Sequence, residues 1–111
     1  MTFKEYQEFV KAHAIYSGAG TVLGFEKYSL PATLEELGEL ASLCAKGWRD
    51  NGDSFFSNPE KFKKELGDIG FQFTLMVSDL GFDLEEILEM NRDKIKDRAE
   101  RGVIKGSGDD R

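Results

Sequence analysis

"NPEKFKKELGDIGFQFTLMVSDLG", residues 58–81, decides the fold. Asn58 and Pro59 suit the N-cap and first position of a helix. Phe62, Leu66, Ile69, Phe73, Met76, Val77 and Leu80 recur at helical spacing and line one face. Gly81 supplies a C-terminal stop. Gly67 and Gly70 inside the run each cost about 1 kcal/mol relative to alanine. They imply either a close helix packing or a tolerated defect.

Working outward, "TLEELGELASLCAKG" at residues 33–47 reads as a second helix. Thr33 with Glu36 fits a capping box, and Pro31 stands just upstream. Leu34, Leu37, Ala41 and Cys44 form its apolar stripe, so Cys44 is expected as buried filler. "RDNGDSFFSN" at 49–58 is the expected connection. Earlier, "TFKEYQEFVKAHAIY" at 2–16 has Phe3, Tyr6, Phe9, Val10 and His13 at helical spacing. "SGAGTVLGFEKYSLP" at 17–31 is rich in glycine and is expected to be a loop. After Gly81 a last helix begins near Asp83, carrying Leu84, Ile87, Leu88, Asn91, Ile95 and Arg98. No segment shows strand alternation with hairpin turns. The expected fold is an all-α bundle of about four helices over residues 1–103, followed by a glycine-rich tail at 104–111. That tail is expected to be disordered, or else to fold over phosphates.

The bulk properties narrow the function. A chain of 111 residues fits one domain with a modest core, so association would usefully add buried surface. The net charge of −6 disfavours free nucleic acid as a partner, and a nucleotide would need a metal or local cations. Cys44 is the one cysteine, which excludes an intrachain disulfide and a thiolate zinc cluster, and points to a reducing, cytoplasmic setting. His13 is the one histidine, which excludes His-pair zinc sites. No run approaches the length of a membrane span, and the N-terminus lacks the apolar core of a signal peptide.

Two carboxylate pairs remain. Glu36 and Glu39 are three residues apart, as are Glu65 and Asp68, and that spacing puts each pair on one helical face. A short connection makes the two helices antiparallel neighbours, and both pairs border apolar positions. Four converging carboxylates repel and resist burial unless a cation joins them. Oxygen ligation alone suits Mg²⁺, or Mn²⁺, rather than Zn²⁺. The competing reading is two ordinary solvated faces, with Glu36 merely completing the capping box. A di-iron bundle is excluded, because neither pair has a following histidine.

"EELGEL", "KKELGD" and "NRDKIKDRAERG" together resemble the MazG-like all-α nucleotide pyrophosphohydrolases. The resemblance runs from "EYQEF" to the tail, whose "RGVIKGSGDDR" is similar to the short single-domain members. It implies a Mg²⁺-dependent hydrolase that cleaves nucleoside triphosphates between the α- and β-phosphates, and a homodimer or homotetramer. By the same resemblance Glu36, Glu39, Glu65 and Asp68 are metal ligands, with Glu39 or another carboxylate accepting the proton of water. Asn91, Lys94 and Arg98 match the polar face of the later helix and would bind phosphate, Lys94 also in catalysis. The alternative for these three is a solvated face paired with Glu100 or Asp97. Glu35 fits the doubled glutamate of the family, but points about 100° away from Glu36. Tyr6, Phe9 and Trp48 are candidates to stack on a nucleobase, or are core aromatics. His13 is expected to be structural or on the surface. The rival reading of the whole chain is a non-catalytic helical interaction module with solvated carboxylates.

Overall fold

In a computed structural model the described residues are 1–52 and 58–111. The fold is all-α, as expected, and no strand occurs among the described residues. Helix α1 spans Phe3–Ala12, the single turn α2 Val22–Gly24, α3 Leu30–Asn51, α4 Pro59–Asp79 and α5 Leu84–Glu100. Helix α3 lies against α4, α1 packs on both α4 and α5, and the α4–α5 turn closes the bundle. Residues 53–57, the middle of the expected connection, lie outside the described residues.

The expected loop at 17–31 is in large part helix. Residues Phe25–Ser29 form a π-turn that runs from α2 straight into α3. Widening of this kind is how a helix accommodates an extra residue, and here it precedes Pro31, whose ring would strain a regular α-turn. The capping box at Thr33 therefore does not form. Thr33 is buried inside the helix, and its hydroxyl donates to the Ser29 carbonyl at 2.7 Å. Nor does Gly47 end α3, which continues to Asn51 and stops at Gly52 with φ +70°. The capping box of this protein is at Thr2 and Glu5, which exchange hydrogen bonds of 2.9 and 3.0 Å at the start of α1.

One buried carboxylate explains why the glycine-rich segment folds back on the bundle. Asp79, 3% exposed near the end of α4, accepts from Tyr16 Oη, Ser29 Oγ and the Gly20 amide, each at 2.7 Å. Burial and this carboxylate push the Tyr16 phenol far above its ordinary range. Gly24 then touches the Gly18 turn so closely that any Cβ would collide with the Gly18 carbonyl. Gln7 is a second tie. Its amide nitrogen donates to the Phe82 carbonyl and Ser78 Oγ, and its oxygen accepts the Leu84 amide at 2.9 Å. That bond caps α5, because Asp83 makes no side-chain cap.

Burial departs from the expected stripes. Among the described residues the buried apolar side chains are Val10, Phe62, Leu75, Val77 and Leu84. Leu66 is exposed, and so is the expected α3 stripe of Leu34, Leu37, Ala41 and Cys44. Helix α3 turns a different line toward α4: Ser29, Thr33, Glu36, Leu40, Leu43 and Gly47 are all at least partly buried. Neither Gly67 nor Gly70 makes a close approach, since a Cβ at either would meet nothing within 4 Å.

The tail is folded rather than disordered. Arg111 donates to the carbonyls of Val103, Ile104 and Gly108, and Arg101 reaches the Arg111 carbonyl at 2.6 Å.

Candidate metal and phosphate site

Glu36 on α3 and Glu65 and Asp68 on α4 form one cluster. Each offers a carboxylate oxygen, and the three oxygens lie within 4.8 Å of one another. Ser29 is pinned to Asp79 and Glu36 lies by Glu65 and Asp68, so contacts run in opposite order along antiparallel α3 and α4. Glu36 and Glu65 are partly buried, and Asp68 opens to solvent.

The electrostatics are those of like charges held close together. The Glu36 carboxyl is pushed above the ordinary glutamate range by burial first, then by repulsion from Glu39, Asp68 and Glu65. Glu65 is raised likewise, by burial and then by Glu39 and Asp68, against a small opposing pull from Lys61. Glu39 thus acts on both neighbours, although its own carboxylate is exposed and stands outside the tight triad. Glu36 Oε2 and Glu65 Oε2 are buried with no hydrogen-bond partner. Buried carboxylate oxygens without partners are rare and costly. A hard divalent cation answers both the repulsion and the missing partners, and the all-oxygen donor set fits Mg²⁺ or Mn²⁺.

The phosphate candidates are placed differently. Asn91 and Lys94 border a shallow surface depression with Ile87 and Met90. Lys94 Nζ pairs with Asp109 Oδ1 of the tail at 3.1 Å. The Arg98 side chain, 4% exposed, donates to the Asp109 carbonyl at 2.7 Å and reaches Asp109 Oδ1 at 3.4 Å. These two cations hold the Asp109 carboxyl below the ordinary aspartate range. Among the described residues no ion pair links Lys94 or Arg98 to the four carboxylates. Asp97 pairs with Arg101, not with Arg98.

Of the aromatic candidates, Tyr6 is partly buried and close enough to Asp68 for that charge to help raise its phenol, behind burial. Phe9 is 52% and Trp48 76% exposed, so neither is a core residue of the single chain. His13 is exposed, with Nδ1 2.7 Å from the Phe9 carbonyl. Tyr6 was a candidate for its aromatic ring alone, and Gln72 was not singled out at all. Tyr6 comes from another helix, so no spacing points to it. Gln72, 9% exposed with its Oε1 unpartnered, follows Asp68 by one turn, and that spacing was available in the sequence.

Comparison with known proteins points to one family. The profile of the MazG nucleotide pyrophosphohydrolase domain matches residues 26–103, which takes in both carboxylate pairs and α5. "Gene 37 protein" of Mycobacterium phage L5 is 34% identical over 109 residues, covering 96% of each chain. No solved structure matches.

Proposed function

The chain belongs to the MazG nucleotide pyrophosphohydrolase family, and from that premise we propose that it is a Mg²⁺-dependent hydrolase of nucleoside triphosphates, (d)NTP to (d)NMP and pyrophosphate. The observation that supports this most is the triad of Glu36, Glu65 and Asp68, with two unpartnered buried oxygens at the family's motif positions. These three carboxylates would hold the cation. When bound, Mg²⁺ supplies Lewis-acid polarisation of a phosphoryl oxygen and makes water a better nucleophile.

The chain's own groups do the rest. Exposed Glu39, beside the triad, accepts the proton of the attacking water. Water adds at the α-phosphorus, the bridging bond to the β-phosphate breaks, and pyrophosphate leaves. Asn91, Lys94 and Arg98 steady the phosphates and the charge on the leaving group. Asp109 now holds the two cations, so it stands in for the anion they serve. Tyr6, next to Asp68, and exposed Phe9 and Trp48 are the surfaces offered to a base. The reading includes a homodimer or homotetramer, in which exposed apolar residues of α3 are covered.

Pyrophosphate release from a panel of NTPs and dNTPs, with and without Mg²⁺, tests the activity. Glu39→Gln is expected to lower kcat by about a hundredfold or more while leaving the helical circular-dichroism spectrum intact. Metal-dependent turnover at the wild-type rate in that variant would remove Glu39 from the chemistry. No pyrophosphate from any substrate would favour the helical interaction module instead.

A further inference from the structure

We propose that Gln72 belongs to the metal site, its amide oxygen serving the cation directly or through one of its waters. This rests on the metal reading above and extends it by one neutral oxygen that no carboxylate motif contains.

The residue is more than nine-tenths buried, yet its Oε1 has no hydrogen-bond partner. Among the described residues such orphaned buried atoms occur at three places only, and the other two are Glu36 Oε2 and Glu65 Oε2 of the triad. Helix geometry connects them. Gln72 lies four residues after Asp68 and seven after Glu65, so it sits over the same face of α4. Long side chains on a helix lean toward its N-terminus and cover the preceding turn, which here is the turn holding Asp68.

On the α3 side the oxygen finds no free hydroxyl. Level 72 of α4 falls between Asp79, pinned to Ser29, and the 65–68 turn, set against Glu36. It therefore faces the α3 segment from Ser29 to Glu36. The hydroxyl donors there are committed, Ser29 Oγ to Asp79 and Thr33 Oγ1 to the Ser29 carbonyl. The polar groups left on that side are carboxylates, which are acceptors like Gln72 Oε1 itself, and Tyr6 beside Asp68 is the polar neighbour contributed by α1. Acceptors that crowd together share a cation or its water, and an amide oxygen is a hard ligand of the kind Mg²⁺ and Mn²⁺ take.

The test is Mn²⁺ binding to the full chain by electron paramagnetic resonance, with melting temperatures of the same samples. Gln72→Met keeps length and volume but replaces the hard oxygen with a soft sulfur. It is expected to weaken Mn²⁺ binding about tenfold while the metal-free protein melts no lower than wild type. Gln72→Glu restores an oxygen and is expected to bind at least as tightly as wild type. Wild-type affinity in Gln72→Met, or equal loss in both variants, would overturn the inference. Glu65→Gln separates the two levels. If it abolishes binding while Gln72→Met does not weaken it, the metal site stands and Gln72 leaves it. If Glu65→Gln binds like wild type, the metal reading itself fails.

Discussion

At the scale of single residues the acidic part of the site is a set of like charges held close together. Glu36 and Glu65 carry raised pKa values, so each binds its proton more tightly in the fold than in the unfolded chain. Their contribution to metal-free stability is unfavourable at neutral pH and disappears as pH falls through the raised values toward the ordinary glutamate value of about 4.3. Glu36→Gln removes one of these charges. The metal-free variant is expected to melt higher than wild type at neutral pH, with the difference shrinking in acid. Mg²⁺ should reverse the order, since a hundredfold excess over Kd stabilises a binding protein by about 2.7 kcal/mol. Thermal melts of both proteins across pH, with and without Mg²⁺, check this. A variant that melts lower without metal and still gains from Mg²⁺ would sink the triad. Lys94 gives a second prediction. It is held by an exposed aspartate of the tail, an easily exchanged partner. Lys94→Ala is expected to lower kcat/KM at least tenfold with little change in melting temperature. Normal kinetics would confine Lys94 to holding the tail.

At the scale of elements, the four long helices were legible and the segment between α1 and α3 was not. Helix α4 announces itself by its Asn-Pro start, its periodic apolar residues and its Gly81 stop, and the structure ends it there, with Gly81 at φ +77°. Residues 17–31 have turn composition, and nothing local says they are helical. What makes them so is Asp79, some sixty positions downstream, which gathers the Gly20 amide, the Tyr16 hydroxyl and the Ser29 hydroxyl. Tertiary bonds of that range leave no periodic trace. Both carboxylate pairs were legible because i,i+3 spacing is local, and a short connection led to the expectation that all four converge, whereas the structure gathers Glu36, Glu65 and Asp68 and leaves Glu39 outside that cluster. The placement of Gln72 and Tyr6 was not legible, since it depends on which face of α4 each neighbour covers. Asp79→Ala leaves buried donors unsatisfied and is expected to cost about 3 kcal/mol, read by urea denaturation. Gly24→Ala should also destabilise, by separating the Gly18 turn from α2. Gly67→Ala should instead stabilise by up to about 1 kcal/mol, because it meets open space in a helix interior.

At the scale of the whole molecule the single chain is open, and a homo-oligomer is expected on that ground. Its radius of gyration is 16.9 Å, where a compact chain of this length gives about 13 Å. Its buried apolar residues are few, while an apolar line runs along α3 through Leu30, Leu34, Leu37, Ala41, Cys44 and Trp48, all exposed. The steps of four and three along that line are those of a helix seam built to meet another helix. Sequence periodicity picks out this stripe but assigns it to the core of one chain, and the structure corrects that by leaving it exposed. A second copy related by a two-fold axis covers such a seam with the same residues on both sides. Sedimentation equilibrium is expected to show a homo-oligomer at micromolar concentration, and Leu34→Asp with Leu37→Asp should shift it to the 12.5 kDa monomer. Cys44 gives an internal reporter, since it lies on the seam and is exposed in the single chain. A thiol reagent should label it slowly in the wild-type assembly and rapidly in the double variant. A wild-type protein that sediments at 12.5 kDa and labels at once would show that α3 leaves its apolar line in water.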